Sequence, residues 1–175
     1  MKVSILIILT SFLVAGDIKI TCEEHLFNLY PKNRDIRMHI FQLDKQIKNK
    51  VENIVKQRFY KDKLYYWTIT QSDSTKAYAF LDNVIGKSMP ITFMVILNID
   101  GEIENVNVIK YREAYGSEVG SKSWLQQFIN FNNNSDYNIG KDIDGISGAT
   151  ISVKSISKGM KKITTLYPLI QSQLK

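Results

Sequence analysis

The sequence predicts an α+β domain in which a small antiparallel sheet packs with helices. Stretches rich in β-branched and aromatic residues follow one another with short polar turns between them, and amphipathic helical stretches lie on either side. The composition agrees, because 44% apolar and 23% charged residues with nine Gly and three Pro in 175 residues are typical of one globular domain. Collagen-like, low-complexity and fully disordered chains are excluded.

The first 16 residues have the features of an export signal. Lys2 is followed by an apolar run that ends in the small residues Val14-Ala15-Gly16. This run is shorter than the ~20 residues that cross a bilayer core, whereas a basic start and a short apolar core are typical of a secretory signal. We expect residues 1–16 to be a signal peptide or an N-terminal anchor, and the protein to be exported to the periplasm or the outer face of the cytoplasmic membrane. A buried first strand or helix is the alternative.

Residues 17–76 are expected to form a helix and strand extension. Glu23–Tyr30 has the pattern of a short helix that stops at Pro31, and Ile36–Leu43 alternates as a strand does. Asp44 can cap a following helix. The predicted apolar face of that helix comprises Ile47, Val51, Ile54 and Val55.

Positive charge is concentrated in this extension. Ten basic and four acidic residues lie between Lys32 and Lys63, and the whole chain carries a formal charge of +6. A solvated helix face explains such a run, and an acidic partner or an anionic lipid surface is the alternative. The charge is too small and too mixed in sign to indicate nucleic acid, so no nucleic-acid partner is expected.

The middle of the chain predicts the sheet. The stretches L-Y-Y-W-T-I-T and A-Y-A-F-L lie on either side of a polar turn at Ser72–Thr75. Pro90–Ile99 is apolar on both faces, which predicts a central strand covered on each side. Asp100-Gly101 suits a hairpin turn that leads into a return strand over Glu102–Tyr111.

The last third of the chain predicts loops and a final helix. Arg112–Lys122 is not periodic, Ser123–Ile129 fits a short helix, and Asn132–Asp142 reads as a polar loop. The final helix is expected from about Ile151, and Pro168 is expected to kink or end it. Its apolar positions follow helical spacing, at Ile156, Met160, Ile163 and Tyr167.

Few residues of the chain can ligate a metal. One cysteine, Cys22, excludes Cys-ligated iron–sulfur clusters, multi-Cys zinc sites and c-type haem attachment, and His25 and His39 are the only histidines. Lipidation of Cys22 is not expected, because the charged Lys19 lies where a lipoprotein signal is apolar. Redox or catalytic chemistry is therefore expected to come from an organic group.

The segment Asp144–Thr150, D-G-I-S-G-A-T, directly precedes the final helix. Its small residues Ser147, Gly148 and Ala149 let a bulky group approach the backbone closely. Thr150 falls at the helix start, where free amide groups and the positive end of the dipole favour an anion such as a phosphate. A flexible loop that ends in a Thr cap is the alternative interpretation of the same pattern.

This segment resembles the flavinylation motif of FMN-binding domains, as found in the C subunit of the sodium-pumping NADH:quinone reductase and the G subunit of the Rnf complex. The match lies at Asp144, Ser147, Gly148, Ala149 and Thr150. Further positions are similar to stand-alone, exported members of the family: Gly86-Lys87, Pro90-Ile91-Thr92, Asp100-Gly101, Tyr111-Arg112-Glu113, Gly116, Glu118-Val119, Trp124 and Gln127-Phe128. The membrane-complex subunits differ at Glu113–Ser117, where they have a Glu-Thr-Pro-Gly-type loop.

The resemblance implies an FMN-binding domain over residues 77–175. FMN would be joined by a phosphoester bond to Thr150, through a separate magnesium-dependent flavin transferase that uses FAD and reads the acceptor at Asp144. We expect further contacts to the cofactor from Ser147, Gly148 and Ala149 and from the side chains of Lys87, Glu113, Tyr115, Trp124 and Lys154. Tyr115 or Trp124 would stack on the ring or touch its edge, Lys154 would face the phosphate, and Lys87, Arg112 or Lys154 would lie near the pyrimidine edge. Glu113 would touch the ring or pair with Arg112.

The implied function is electron transfer between a membrane-associated donor and an extracytoplasmic acceptor. No catalytic residue and no metal ligand is assigned, because a carrier rather than a complete enzyme is expected. Two alternatives remain, a non-redox interaction protein that keeps the fold without flavin and a small flavin-dependent reductase that acts on a soluble substrate.

Overall fold

A computed structural model describes residues 18–31, 35–71 and 74–175 of the chain. The predicted signal peptide or anchor at residues 1–16 lies outside these residues, and so do positions 72 and 73 of the predicted turn. Within the three described ranges, no helix has both the length and the hydropathy of a membrane span.

The described residues form a sheet of five antiparallel strands in chain order, each paired with the next. The strands are β1 (Asp35–Gln42), β2 (Lys63–Gln71), β3 (Ser74–Ile85), β4 (Pro90–Asn98) and β5 (Ile103–Lys110). The bounds of β1, β4 and β5 agree with the predicted ones to within one residue at each end. The arrangement confirms the predicted α+β fold.

Strand β3 is longer than the predicted A-Y-A-F-L stretch and continues to Ile85. The sequence gives no strand signal there because Asp82 and Asn83 are polar. Both find partners in the fold: Lys162 forms an ion pair with Asp82 at 2.8 Å, and Thr92 Oγ1 donates to Asn83 Oδ1 at 2.7 Å. Long-range contacts therefore extend the strand.

Helices cover both faces of the sheet. Residues 18–29 are helical and form α1, followed by α2 (Lys45–Val55), α3 (Lys122–Leu125) and α4 (Thr150–Ile170). Short 3₁₀ turns occur at Ser117–Gly120, Gln126–Phe128 and Gln171–Gln173. One core lies between the sheet and α2, α3 and α4, and a second lies where Cys22 and Leu26 of α1 pack on the opposite face.

The two cores bury both faces of β4. Phe93 and Val95 belong to the first core, whereas Met94 and Ile96 belong to the second. The expectation that this strand is covered on each side is confirmed, because alternate side chains of a strand point to opposite faces of its sheet.

Helix α2 begins as predicted but packs through a narrower face. Asp44 Oδ1 accepts hydrogen bonds from the backbone amides of Gln46 and Ile47, which confirms the cap. Val51 and Val55 are buried, whereas Ile54 is 53% exposed. The prediction that Ile54 lies on the packed face is wrong, because Val51 and Val55 form the buried stripe and Ile54 lies beside it.

Helix α4 crosses the sheet and supplies much of the first core. Its four predicted apolar positions are all buried, which confirms the helical spacing. A Cβ on Gly159 would lie 2.9 Å from Phe93 Cζ, so the glycine permits a close approach of helix and strand. The helix continues through Pro168 and ends at Ile170, two residues later than the proline alone indicates.

A buried charge also joins α4 to the sheet. The Lys162 side chain is inaccessible to solvent and lies 2.8 Å from Asp82 Oδ2, and its ammonium group donates to the carbonyl of Arg58 at 2.9 Å. The same group lies 4.6 Å from the ring centre of Phe59. Lys162 therefore ties the segment after α2 to the sheet.

Candidate functional site

A cavity of about 730 Å³ opens at the N-terminal end of α4. Three segments line it: Lys87-Ser88 before β4, residues 113–116 and 118 after β5, and Ser147–Ser152 at the start of the helix. Its volume falls within the ~300–1,000 Å³ of small-molecule sites. The cavity therefore joins segments that lie far apart in the chain.

The loop before α4 leaves the first turn of that helix without a side-chain cap. Gly148 has a φ of +77°, and Ala149 occupies the cap position, where its carbonyl accepts from the amide of Val153 at 2.9 Å. Thr150 is the first helical residue and is exposed. Its side chain is not the helix cap, so the alternative of a Thr cap is wrong, and the amides of the first turn can bind an anion.

Tyr111 holds the opposite wall of the cavity against this helix. Its hydroxyl donates to the carbonyl of Tyr115 at 2.6 Å and lies 3.2 Å from Ser152 Oγ. Gly116 has a φ of +83°, and a Cβ there would lie 2.8 Å from Ala149 Cβ. The sequence does not predict a contact between Tyr111 and Ser152, because they lie on different elements and share no pattern.

Glu113 is fixed by the turn that precedes β4. Its Oε1 accepts hydrogen bonds from the amides of Ser88 and Met89 at 2.7 and 2.9 Å. These two bonds hold the pKa of the Glu113 carboxyl below its ordinary value of 4.5, with the Met89 amide as the main cause. The carboxylate therefore joins two of the three segments of the cavity wall.

Arg112 lies beside Glu113 in the chain but makes other contacts. Its Nη1 donates to the carbonyl of Pro90 at 3.0 Å and to Thr92 Oγ1 at 3.1 Å. The described residues contain no ion pair between Arg112 and Glu113. The sequence left two roles open to Glu113, a contact with the flavin ring and an ion pair with Arg112. The described residues do not form the ion pair.

The cavity brings together seven of the ten predicted cofactor-binding residues. Those that line it are Lys87, Glu113, Tyr115, Ser147, Gly148, Ala149 and Thr150. Tyr115 is 85% exposed at the rim, so its ring is free to lie against a planar ligand. The chemical character of the site suits a phosphate ester with an aromatic group.

Trp124 and Asp144 lie behind the cavity wall. Trp124 is buried and its Nε1 donates to the carbonyl of Asp144 at 2.8 Å, while the Asp144 amide donates to Gln127 Oε1 at 2.7 Å. The Asp144 side chain is exposed. Trp124 and Gln127 thus position the backbone of the loop, and neither Trp124 nor Asp144 lines the cavity.

Lys154 lies one helical turn after Thr150 and does not line this cavity. It lines a second cavity of about 660 Å³, which shares only Ile151 with the first one. Its predicted contact with a phosphate stays a prediction, as do the proposed contacts of the other nine residues.

Metal ligands do not cluster in the part of the chain that the structure describes. Asn107 Nδ2 lies 3.0 Å from His25 Nδ1, and Thr68 Oγ1 lies 3.2 Å from His39 Nε2. Burial lowers the pKa of both imidazoles, which favours their neutral forms. Both histidines thus contact polar groups of the sheet.

The part of the chain that lines the cavity is similar to a known protein family. Residues 86–165 match a family model described as the FMN-binding domain. The match confirms the resemblance inferred from residues 144–150, and it spans all three segments that line the cavity. No curated protein matches the chain. The match begins inside the predicted domain of residues 77–175, whose bounds stay a prediction.

Proposed function

Since residues 86–165 of this chain match the FMN-binding domain family, we propose that the protein is an exported flavoprotein with FMN esterified to Thr150. It would pass electrons between a membrane-associated donor and an extracytoplasmic acceptor. The observation that supports the attachment is the exposed Thr150 side chain at the uncapped end of α4, inside the cavity.

The residues of the cavity fit FMN. The free amides and dipole of the first turn of α4 suit the phosphate, and Ser147, Gly148 and Ala149 leave room beside it. The exposed ring of Tyr115 offers a surface for the isoalloxazine, and the Lys87 ammonium would stabilise negative charge on it. FMN held there supplies one- and two-electron redox chemistry.

The Thr150 hydroxyl is the acceptor in the attachment reaction. Its oxygen forms a new ester bond to the phosphorus of the FMN half of FAD, its proton is lost, and the bond to AMP breaks so that AMP leaves. No oxidation or reduction occurs. A separate magnesium-dependent flavin transferase would perform this step and read the exposed Asp144 carboxylate.

A covalent link suits an exported carrier because no FMN pool refills an empty site outside the cytoplasm. A short tether gives an effective concentration of ~mM. A pocket with an intrinsic binding free energy of about −4 kcal/mol, which corresponds to a Kd of ~1 mM, would then be half filled. The cavity is open and few aromatic side chains line it, which suits such weak intrinsic binding.

Mass spectrometry of protein coexpressed with a flavin transferase tests the proposal. The wild type should gain the mass of one FMN minus one water, and its denatured gel band should fluoresce under ultraviolet light. Thr150→Val should gain nothing, whereas Thr150→Ser restores a hydroxyl and should recover part of the loading. Ser88→Ala removes the hydroxyl of another exposed residue of the same cavity. This variant should be loaded with flavin to the same extent as the wild type.

Two results would contradict the proposal. Unmodified mass of the wild type from a host with an active transferase would leave a non-redox interaction protein as the better interpretation. Continuous turnover of a soluble substrate with excess reductant would indicate a flavin-dependent reductase, because a carrier alone stops after it has delivered its own electrons.

A further inference from the structure

The second cavity lies beside the first one and is lined by positive charge. It opens between the end of α2 and the first turns of α4, and Ile151 borders both cavities. We call it the basic groove, after its four cationic residues, Lys56, Arg58, Lys154 and Lys158. All four are exposed.

The charge of the basic groove is not neutralised by the fold. None of the ion pairs within the described residues includes these four cations. Among the described residues that line the groove, Glu52 is the only carboxylate, and its Oε1 accepts a hydrogen bond from the amide of Phe59 at 2.7 Å. The groove therefore favours an anionic occupant.

Exposed apolar side chains lie among the cations. Tyr60, Ile85 and Ile151 line the groove and are 53%, 38% and 49% exposed. Protein interfaces combine an apolar centre with a polar rim and are enriched in Tyr and Arg. The chemistry of the groove thus suits the surface of a protein better than it suits a free inorganic anion.

We propose that the basic groove is the docking site for an acidic redox-partner protein. This inference rests on the proposed electron-transfer function, because Ile151 directly follows Thr150 and a partner in the groove would lie next to the attached flavin. Electron-transfer encounters use small interfaces, and opposite charges steer them. The concave shape favours projecting acidic side chains over the flat surface of a membrane.

A rate measurement tests the docking site with charge-reversed variants. R58E/K158E reverses two groove charges, and K45E/K76E reverses two exposed charges outside the groove, at the far ends of α2 and β3. Stopped flow would follow oxidation of the reduced, flavin-loaded proteins by an acidic blue-copper protein and by a basic c-type cytochrome. Flavin content and melting temperature are measured first for each variant.

R58E/K158E should slow the reaction with the acidic acceptor at least about tenfold relative to K45E/K76E at low salt, and high salt should remove the difference. With the basic cytochrome, R58E/K158E should react faster than K45E/K76E. Equal rates of the two variants with the acidic acceptor would overturn the docking site.

A binding measurement separates failure of the docking site from failure of the proposed function. Fluorescence anisotropy of the labelled acidic blue-copper protein should show at least about fivefold weaker binding to R58E/K158E than to K45E/K76E. Thr150→Val supplies the flavin-free background for the same comparison. Equal binding overturns the inference whether or not the wild type contains flavin.

Vesicles with and without phosphatidylserine provide the remaining comparison. Groove-dependent binding to anionic vesicles, without any effect of R58E/K158E on the acidic protein, would assign the basic groove to a lipid surface and overturn the inference. Binding to the acidic protein that R58E/K158E weakens, with no groove-dependent vesicle binding, would support it.

Discussion

Gly116 and Ala149 lie so close that a Cβ on the glycine would sit 2.8 Å from the Cβ of the alanine. The contact joins the loop after β5 to the residue that precedes α4, and Gly116 also has a φ of +83°. The width of the cavity around Thr150 therefore depends on a residue without a side chain.

Replacement of this glycine should open the site. Gly116→Ala should destabilise the fold by about 1–2 kcal/mol for the positive φ and by a further ~1–3 kcal/mol for the clash with Ala149. Gly140→Ala is the matched control, because Gly140 has a φ of +87° and open space around it. Urea unfolding measures the free energy of unfolding of both variants. Equal losses for the two variants would show that the contact between Gly116 and Ala149 does not constrain the loop.

Glu113 should make the stability of the fold depend on acid pH. Its pKa is lowered in the folded state by the Met89 and Ser88 amides, so its contribution is present above the ordinary pKa of 4.5 and is lost as pH falls through the lower folded value. Glu113→Gln should therefore lose less stability than the wild type between neutral pH and pH values below about 4. The urea midpoint measures this.

Glu118→Gln is the control for that comparison, because Glu118 lines the same cavity. It should retain the acid sensitivity of the wild type. If Glu113→Gln and the wild type lose stability in parallel, the amide contacts of Glu113 have no energetic role.

The buried pair of Lys162 and Asp82 should be costly to break. Lys162→Met leaves a buried carboxylate without its partner, which should destabilise the fold by about 3–5 kcal/mol. Lys162→Met/Asp82→Leu should recover most of that loss. Lys48→Met removes a more exposed pair with Asp62 and should cost about 1 kcal/mol or less. Chemical denaturation of the four proteins tests the ranking, and a double variant no better than Lys162→Met would refute it.

The Cys22 thiol should be unreactive in the folded protein. Burial, and to a smaller extent Glu23, raises its pKa to about 12, so little thiolate exists at pH 8. A chromogenic disulfide reagent should label native Cys22 at least about a hundredfold more slowly than urea-unfolded protein. Cys22→Ala/Lys76→Cys carries an exposed thiol for comparison. Rapid native labelling of the wild type would show that α1 does not protect the thiol.

Asp144 should matter for loading of the cofactor rather than for folding. Its side chain is exposed, so Asp144→Ala should change the unfolding free energy by less than about 0.5 kcal/mol. The same variant should incorporate less flavin, measured by intact mass after coexpression with a transferase. Lys141→Ala alters another exposed charge of the loop and should load normally. Full loading of Asp144→Ala would remove its assigned role.

Sequence patterns correctly predicted the structural features that depend on residues close together in the chain. The Asp44 cap, the turn at Asp100-Gly101 and the apolar spacing of α4 depend on neighbours in the chain, and the structure agrees with them. The extension of β3 past Leu81 could not be predicted in this way, because Asp82 and Asn83 form their stabilising contacts with residues far along the chain.

The sequence by itself determined the family motif, the order of the elements and the position of Thr150 at a helix start. Only the tertiary structure decided that Glu113 binds the turn before β4, that Trp124 supports the loop from behind, and that Lys154 lines the basic groove. The physical reason is that a motif fixes residue types along the chain, whereas the direction of each side chain depends on packing between elements that are distant in sequence.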